Sequence, residues 1–324
     1  MLIASLTLAI MLSGLPGAVA NASAAEYPEF IEWTGTRTAL VHPAGDLMLT
    51  LTINGYEVKH YRGTGHLIQP GGGDEDTVVF SRKGLVTYAL TGEALSLFGY
   101  DDEQEYFKGT GFKCGQDLTG DGIPDVVIAL RWGQYFKSLF AYSLGKSIRK
   151  LGVIDCFPCG SVHVNRIGVA GDRAILLIIR DGTFAYWHYA AMETRGYGPE
   201  IALRYRDGAF QFSNALIKAT APTLQQLQGM SDSFHSGTEY YWATKDNREG
   251  HPLPPPKLFL KMLDLIYQGH GDSAKKLFDL TWPRNYPGKD LFLREFLERL
   301  SASPYWKDVR SLNGKKLGWA VNIQ

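Results

Sequence analysis

Asp117-Leu118-Thr119-Gly120-Asp121-Gly122-Ile123-Pro124-Asp125 runs straight into the apolar segment Val126-Val127-Ile128. Carboxylates occupy the first, fifth and ninth positions of this loop, a hydroxyl the third and a glycine the sixth. A hard cation such as Ca²⁺ takes about six to eight oxygen ligands, and a central glycine permits the sharp bend needed to wrap one. The ligand set expected is therefore the side chains of Asp117, Thr119, Asp121 and Asp125 with the backbone carbonyl of Ile123. The plain alternative is a solvated turn, because Asp and Gly favour turns without any metal. An EF-hand is excluded: its twelfth position needs a bidentate Glu, and here that residue is Ile128 within a strand-like run.

The loop and its apolar continuation resemble the FG-GAP, or integrin-type (VCBS), repeat, in which a D-x-[DNT]-x-D-G-x-x-D calcium loop leads into a strand of a β-propeller blade. The resemblance covers only the loop and the start of the strand. It implies a propeller-like fold, one structural Ca²⁺ and a binding or scaffold role towards a protein or glycan partner. Thr119 stands where the family prefers Asp or Asn, which implies a modest affinity.

Self-comparison extends the pattern along the chain. Apolar runs start at Thr77, Asp125 and Ala174, spaced 48 and 49 residues apart. Each is followed by a turn and an aromatic, alternating stretch: Gly84–Leu90, Ser138–Leu144 and Thr183–Trp187. Four short strands per blade take about 40 to 50 residues, so the interval fits one blade per unit. Gly63-Thr64-Gly65 and Gly109-Thr110-Gly111 recur at a similar distance. Only the middle unit keeps its acids, since Gln69 and Gly73 fall at the equivalent places in the first unit and Arg166 and Ala170 in the third. Asn54-Gly55 and Arg206-Asp207-Gly208-Ala209 read as tight hairpin turns. Three or four units make an incomplete or distorted propeller at most.

Composition agrees with a turn-rich β protein: there are 36 glycines in 324 residues, and 12% of the residues are aromatic. Lys plus Arg and Asp plus Glu are both 33, so no global field points to nucleic acid. Residues 1–24 read as a secretory signal, with a short apolar core and small residues at Ala18-Val19-Ala20 and Ala22-Ser23-Ala24, although no Lys or Arg precedes the core. A periplasmic or extracellular location follows, and in such compartments cysteines oxidise. Of Cys114, Cys156 and Cys159, one disulfide joining Cys114 to Cys156 or Cys159 is expected. Cys156-Phe157-Pro158-Cys159 has redox spacing, but Val162-His163-Val164 alternates like a strand where a redox site needs a helix. His188 sits in an aromatic stretch with no partner motif for catalysis.

The period changes at Pro222. Thr223 and Leu224 start a helix, His251–Pro256 reads as a semi-rigid spacer, and three amphipathic helices follow over Lys257–Gln268, Asp272–Leu280 and Lys289–Ala302. Gly269 serves as a C-terminal stop and Asp272 or Ser273 as an N-cap, which accounts for Gly269-His270-Gly271-Asp272-Ser273 without a catalytic triad. The fold class expected is mainly β with a C-terminal α segment: a propeller-like β-repeat domain over 25–221, a helix and Pro-rich linker over 222–256, and a small helical module over 257–324. A non-enzymatic, calcium-stabilised binding protein and a secreted hydrolase or thiol-redox enzyme are the two functional classes left, and the first has the motif on its side.

Overall fold

The structure is a computed structural model and describes residues 30–37, 45–63, 75–100, 111–132, 135–159, 163–169, 172–185, 187, 198–235, 254–284 and 286–317. The leader, His188 and residues 64–74 lie outside this set. The chain is mainly β, with helices towards its C-terminal end.

The strands form three antiparallel sheets. In the first, β2 (Asp46–Ile53), β3 (Tyr56–Arg62), β4 (Glu75–Arg82) and β5 (Leu85–Glu93) follow one another as a meander, and β1 (Phe30–Arg37) returns to pair with β5. The second runs β6 (Leu95–Leu97), β7 (Asp125–Trp132), β8 (Tyr135–Leu144) and β9 (Ile148–Cys159); the third runs β10 (His163–Val169), β11 (Asp172–Arg180), β12 (Glu200–Arg206) and β13 (Ala209–Phe212). Both expected tight turns are present, with Asn54 at φ +48°, Gly55 at +77°, Asp207 at +52° and Gly208 at +84°. Two successive left-handed residues define a type I′ turn, whose twist matches that of its strands.

The three apolar runs become interior strands, β4, β7 and β11, of three separate sheets. β7 and β11 are second in their meanders while β4 is third, so only the second spacing relates equivalent strands. Val126 to Leu130 are buried on both faces of β7, which explains an unbroken apolar run where a half-exposed strand would alternate. The sheets share a core: β4 and β5 meet β6 and β7, and β9 meets β11 and β13. Between the first two sheets the Tyr88 and Tyr142 hydroxyls bond at 2.7 Å, so these buried rings satisfy their polar ends on each other.

One expectation fails at the third unit. Thr183–Trp187 does not form an aromatic strand; Gly182–Phe184 is a 3-10 turn capped by Asp181, whose side chain accepts from the Thr183 amide at 2.8 Å. The cap swings Phe184 and Trp187 out of the sheet and against Phe259, Phe292 and Phe296 of the helices.

The helices are α1 (Leu224–His235), α2 (Pro256–Tyr267), α3 (Gly271–Thr281), α4 (Lys289–Ser301) and α5 (Trp306–Asn313). Leu258, Met262, Leu277, Phe296 and Leu300 join the same core cluster as the sheets. Among the described residues no helix is long and apolar enough to cross a membrane. The proline run is no spacer where it is described: Pro254 and Pro255 are buried, and Pro256 opens α2 in the first-turn position that tolerates a missing N–H. Gly269 takes the left-handed stop at φ +75°, but α3 is not capped by Asp272 or Ser273. Asn313 of α5 does that work across the module, accepting from the Gly271 amide at 2.8 Å and donating to Ile266 O at 2.7 Å.

A buried polar knot fastens these helices to the third sheet. Asp181 Oδ1 accepts from the Thr183 hydroxyl at 2.5 Å, and Oδ2 accepts from Ser303 Oγ at 2.5 Å and from the Tyr267 hydroxyl. Nearby, Asn214 accepts from the Ala202 amide at 2.7 Å and donates to Tyr267 O at 3.0 Å. Burial, and then the Asp181 charge, push the Tyr267 phenol well above its ordinary value. An unfolded tyrosine ionises near pH 10, so this group's stabilisation is complete below about pH 10 and declines by up to about 1.4 kcal/mol per pH unit above it. Tyr267→Phe should therefore be less stable at neutral pH yet lose stability less steeply above pH 10. Urea midpoints across an alkaline pH series check this, and equal slopes for the two proteins would contradict it.

Candidate functional site

The acidic loop hangs between Cys114 and β7. Its neck is closed by two backbone bonds, Gly115 N to Asp125 O at 2.7 Å and Asp125 N to Gln116 O at 2.9 Å. Gly115 adopts φ +97°, and Gly120 and Gly122 adopt +85° and +81°, a backbone that L side chains rarely enter. Leu118 is the loop's apolar plug, buried in the core cluster. On the far side, Ile123 packs against Gly145 in the β8–β9 turn, and Pro124 O accepts from the Leu144 amide at 2.9 Å. The same turn is gripped from the first sheet: Asn54 Nδ2 donates to Leu144 O at 2.6 Å and Arg82 Nη1 to Lys146 O at 2.8 Å. The loop thus stands at the seam of the first two sheets.

Its carboxylates have distinct partners. Asp117 faces the loop's own backbone, with Oδ1 accepting from the Gly120 amide at 2.6 Å and the Thr119 hydroxyl at 3.3 Å, and Oδ2 accepting from the Gly122 amide at 2.8 Å. Asp121 Oδ1 accepts from the Ile123 amide at 2.9 Å, while Oδ2 pairs with Arg149 Nη2 of β9 at 3.0 Å. Asp125 is fully buried; its Oδ2 accepts from the amides of Leu118 at 2.8 Å and Thr119 at 3.1 Å. Its Oδ1 has no hydrogen-bond partner.

That oxygen is the loop's anomaly. A buried carboxylate oxygen left unpartnered costs about 1–3 kcal/mol, and more when charged. Ser143 occupies the facing position on β8, and its hydroxyl favours the charged carboxylate without reaching hydrogen-bond geometry, so its Oγ is unpartnered too. Burial pushes the Asp125 carboxyl up to about 6, against the lowering by the Leu118 amide, Ser143 and the Thr119 amide, with the Asp117 charge adding to the rise.

Thr119 links two of the acids, donating its hydroxyl to Asp117 and its amide to Asp125, while Asp121 is tied to Arg149. Among the described residues no group of three or more His, Cys, Asp or Glu side chains stands close enough to hold a metal ion as they are placed. Carboxylate and hydroxyl oxygens are donors of the kind a hard cation takes, and Asp125 Oδ1 is the one carboxylate oxygen of the loop without a hydrogen-bond partner. Sequence reading did not find Arg149 or Ser143: both come from other strands, at positions that only the sheet register supplies.

No family model, no curated protein and no solved structure matches the chain.

The cysteines give a correction. Cys114 is free and buried, its Sγ donating to Val127 O of β7 at 3.4 Å, so the expected disulfide through it is not formed. Burial raises its thiol to about 12, which keeps it protonated and inert. Cys156 and Cys159 lie on the extended backbone of β9, whose end at Cys159 offers no helix N-terminus to activate a thiolate. Their side chains lie outside the described residues.

Proposed function

We propose that the Asp117–Asp125 loop takes one Ca²⁺ for a structural purpose, in a secreted or periplasmic, non-enzymatic β-repeat protein that binds a protein or glycan partner. The observation that carries the metal reading is the buried, unpartnered Oδ1 of Asp125 at the neck of a loop that already has glycines at its bends. Asp117, Thr119, Asp121 and Asp125 would hold the ion with the Ile123 carbonyl, and the bound ion would supply a central positive charge. One five-stranded and two four-stranded antiparallel sheets, read with the FG-GAP-like loop, support an incomplete or distorted propeller. A binding scaffold of that kind should present a broad, shallow face, and fold-level likeness names no particular partner.

What the chain's own residues contribute is placement. Leu118 anchors the loop in the core, Ile123 seats it on the β8–β9 turn, and the closed neck delivers Asp125 into β7. Three acids in nine residues repel one another, and a cation replaces that repulsion with attraction, pinning the entry to β7.

With a neutral third ligand the dissociation constant should be about 10⁻⁴ to 10⁻³ M, in the range of extracellular modules. Calcium at ten times that constant should add about 1.4 kcal/mol of stability. Asp121→Ala should abolish the gain, while Asp172→Ala, at the start of β11, should keep it. Calorimetric titration and melting curves of chelator-treated protein provide the test. No heat and no melting shift at millimolar calcium would sink the reading, as would calcium-dependent turnover of an ester, phosphate or glycoside without any change in melting.

A further inference from the structure

We propose that β2 is the seam of a two-fold dimer, in which it pairs antiparallel with β2 of a second copy of this chain. β2 is the last strand of the first sheet, and among the described residues β3 is its one strand partner. An edge strand presents unpaired N–H and C=O groups, and proteins commonly blunt such edges with lysines or prolines. Here Leu47-Met48-Leu49-Thr50-Leu51-Thr52-Ile53 carries no charge and no proline. Leu47 and Met48 are 53% and 44% exposed, two of the four exposed large hydrophobic side chains among the described residues.

The register decides which occupant fits this edge. Ile53 and Tyr56 flank the two-residue turn as a hydrogen-bonded pair, and bonded and open pairs alternate along an antiparallel ladder. Leu51 and Leu49 therefore bond β3, while Thr50 and Thr52, both exposed, turn their backbone groups to the open side. The extra residue Met48 interrupts the ladder between Leu47 and Leu49, so the regular stretch is Leu49–Ile53, with Leu51 at its centre. A two-fold axis at Leu51 sets Thr50 opposite Thr52 of the second copy, so that the open-side groups meet one another. It also sets Leu49 opposite Ile53, which carries the apolar face of the first sheet across the seam. On the other face Thr50 stands beside Lys59 of β3 and Thr52 beside Glu57. Each row across the four strands then runs Lys59, Thr50, Thr52, Glu57, with opposite charges at its ends. The exposed Leu47 and Met48 fall just past the paired stretch, level with the second copy's Asn54-Gly55 turn. A surface that complements itself in this way is what an isologous dimer requires.

Sedimentation equilibrium of the full chain over a range of concentrations tests this, with melting curves to show that each variant folds. The native chain should exchange between monomer and dimer. Thr50→Pro should be monomeric yet melt as the native chain does in dilute solution, because the N–H it removes faces away from β3. Two charge variants ask the same question without proline. Thr50→Glu with Thr52→Glu sets like charges opposite one another twice and should weaken association about ten-fold, whereas Thr50→Glu with Thr52→Lys sets opposite charges there and should preserve it. A native chain that stays monomeric at every soluble concentration would overturn the proposal. So would open-ended assemblies larger than a dimer, or equal association of the two charge variants.

Discussion

Asp181→Ala should cost about 3–5 kcal/mol and lower the melting temperature by about 10 °C. The buried carboxylate accepts from the buried Ser303 and Tyr267 hydroxyls and from the half-buried Thr183 amide and hydroxyl. Alanine leaves those donors facing an empty space, so the penalty combines lost charge-assisted bonds with stranded polar groups. Asp181→Asn should cost less, about 1–2 kcal/mol, because the Tyr267 and Ser303 hydroxyls can rotate and accept from the new amide. Thermal melts of both variants decide it, and an alanine variant within 1 kcal/mol of the native protein would show that the knot is incidental.

Gly198→Ala should be comparably damaging for a different reason. A Cβ there would stand 2.1 Å from the Asp181 carbonyl oxygen and 2.9 Å from its carbon. Neither atom can retreat easily. The Asp181 amide bonds Pro199 O at 3.1 Å, and Arg180 Nη1 bonds Gly198 O at 2.8 Å, so the two segments are held together by the bonds that a methyl group would force apart. Overpacking typically costs about 1–3 kcal/mol, and a clash between two backbones exceeds that range. Soluble yield and urea midpoint should both fall sharply. A variant with native stability would mean that the two segments separate more freely than their bonds suggest.

Parts of this architecture were legible from local chemistry alone. Asn54-Gly55 and Asp207-Gly208 demand left-handed backbone, and the structure turns at both. The apolar spacing of residues 257–302 gave three helices to within a residue or two, because Gly269, Pro283 and Pro304 punctuate them. Elsewhere a tertiary partner decided. Thr183–Trp187 alternates like a strand, yet Asp181 caps a turn there because Tyr267 and Ser303 hold its carboxylate in place. Trp306–Asn313 forms a further helix that the apolar spacing did not reveal, since it buries only Val309 and Asn313. In the candidate site, spacing drew attention to the acidic loop, but the partners of its carboxylates come from elsewhere: Arg149, 28 residues further along, bonds Asp121, and Ser143 faces Asp125 across the sheet.

The span of the Asp181 knot bears on the order of events in folding. Its partners lie 86 and 122 residues further along, at Tyr267 and Ser303, whereas each of the three sheets is built mainly from hairpins between consecutive strands. Closing so long a loop carries an entropic cost that local hairpins avoid, and in a chain made from its N-terminus those partners emerge after the strands. The knot is therefore expected to close after the sheets, which an Asp181→Asn variant with an unchanged refolding rate and a faster unfolding rate would bear out. An interaction absent from the transition state changes the rate of unfolding rather than that of folding, so a late-closing Asp181 would act as a clasp on the native state's lifetime.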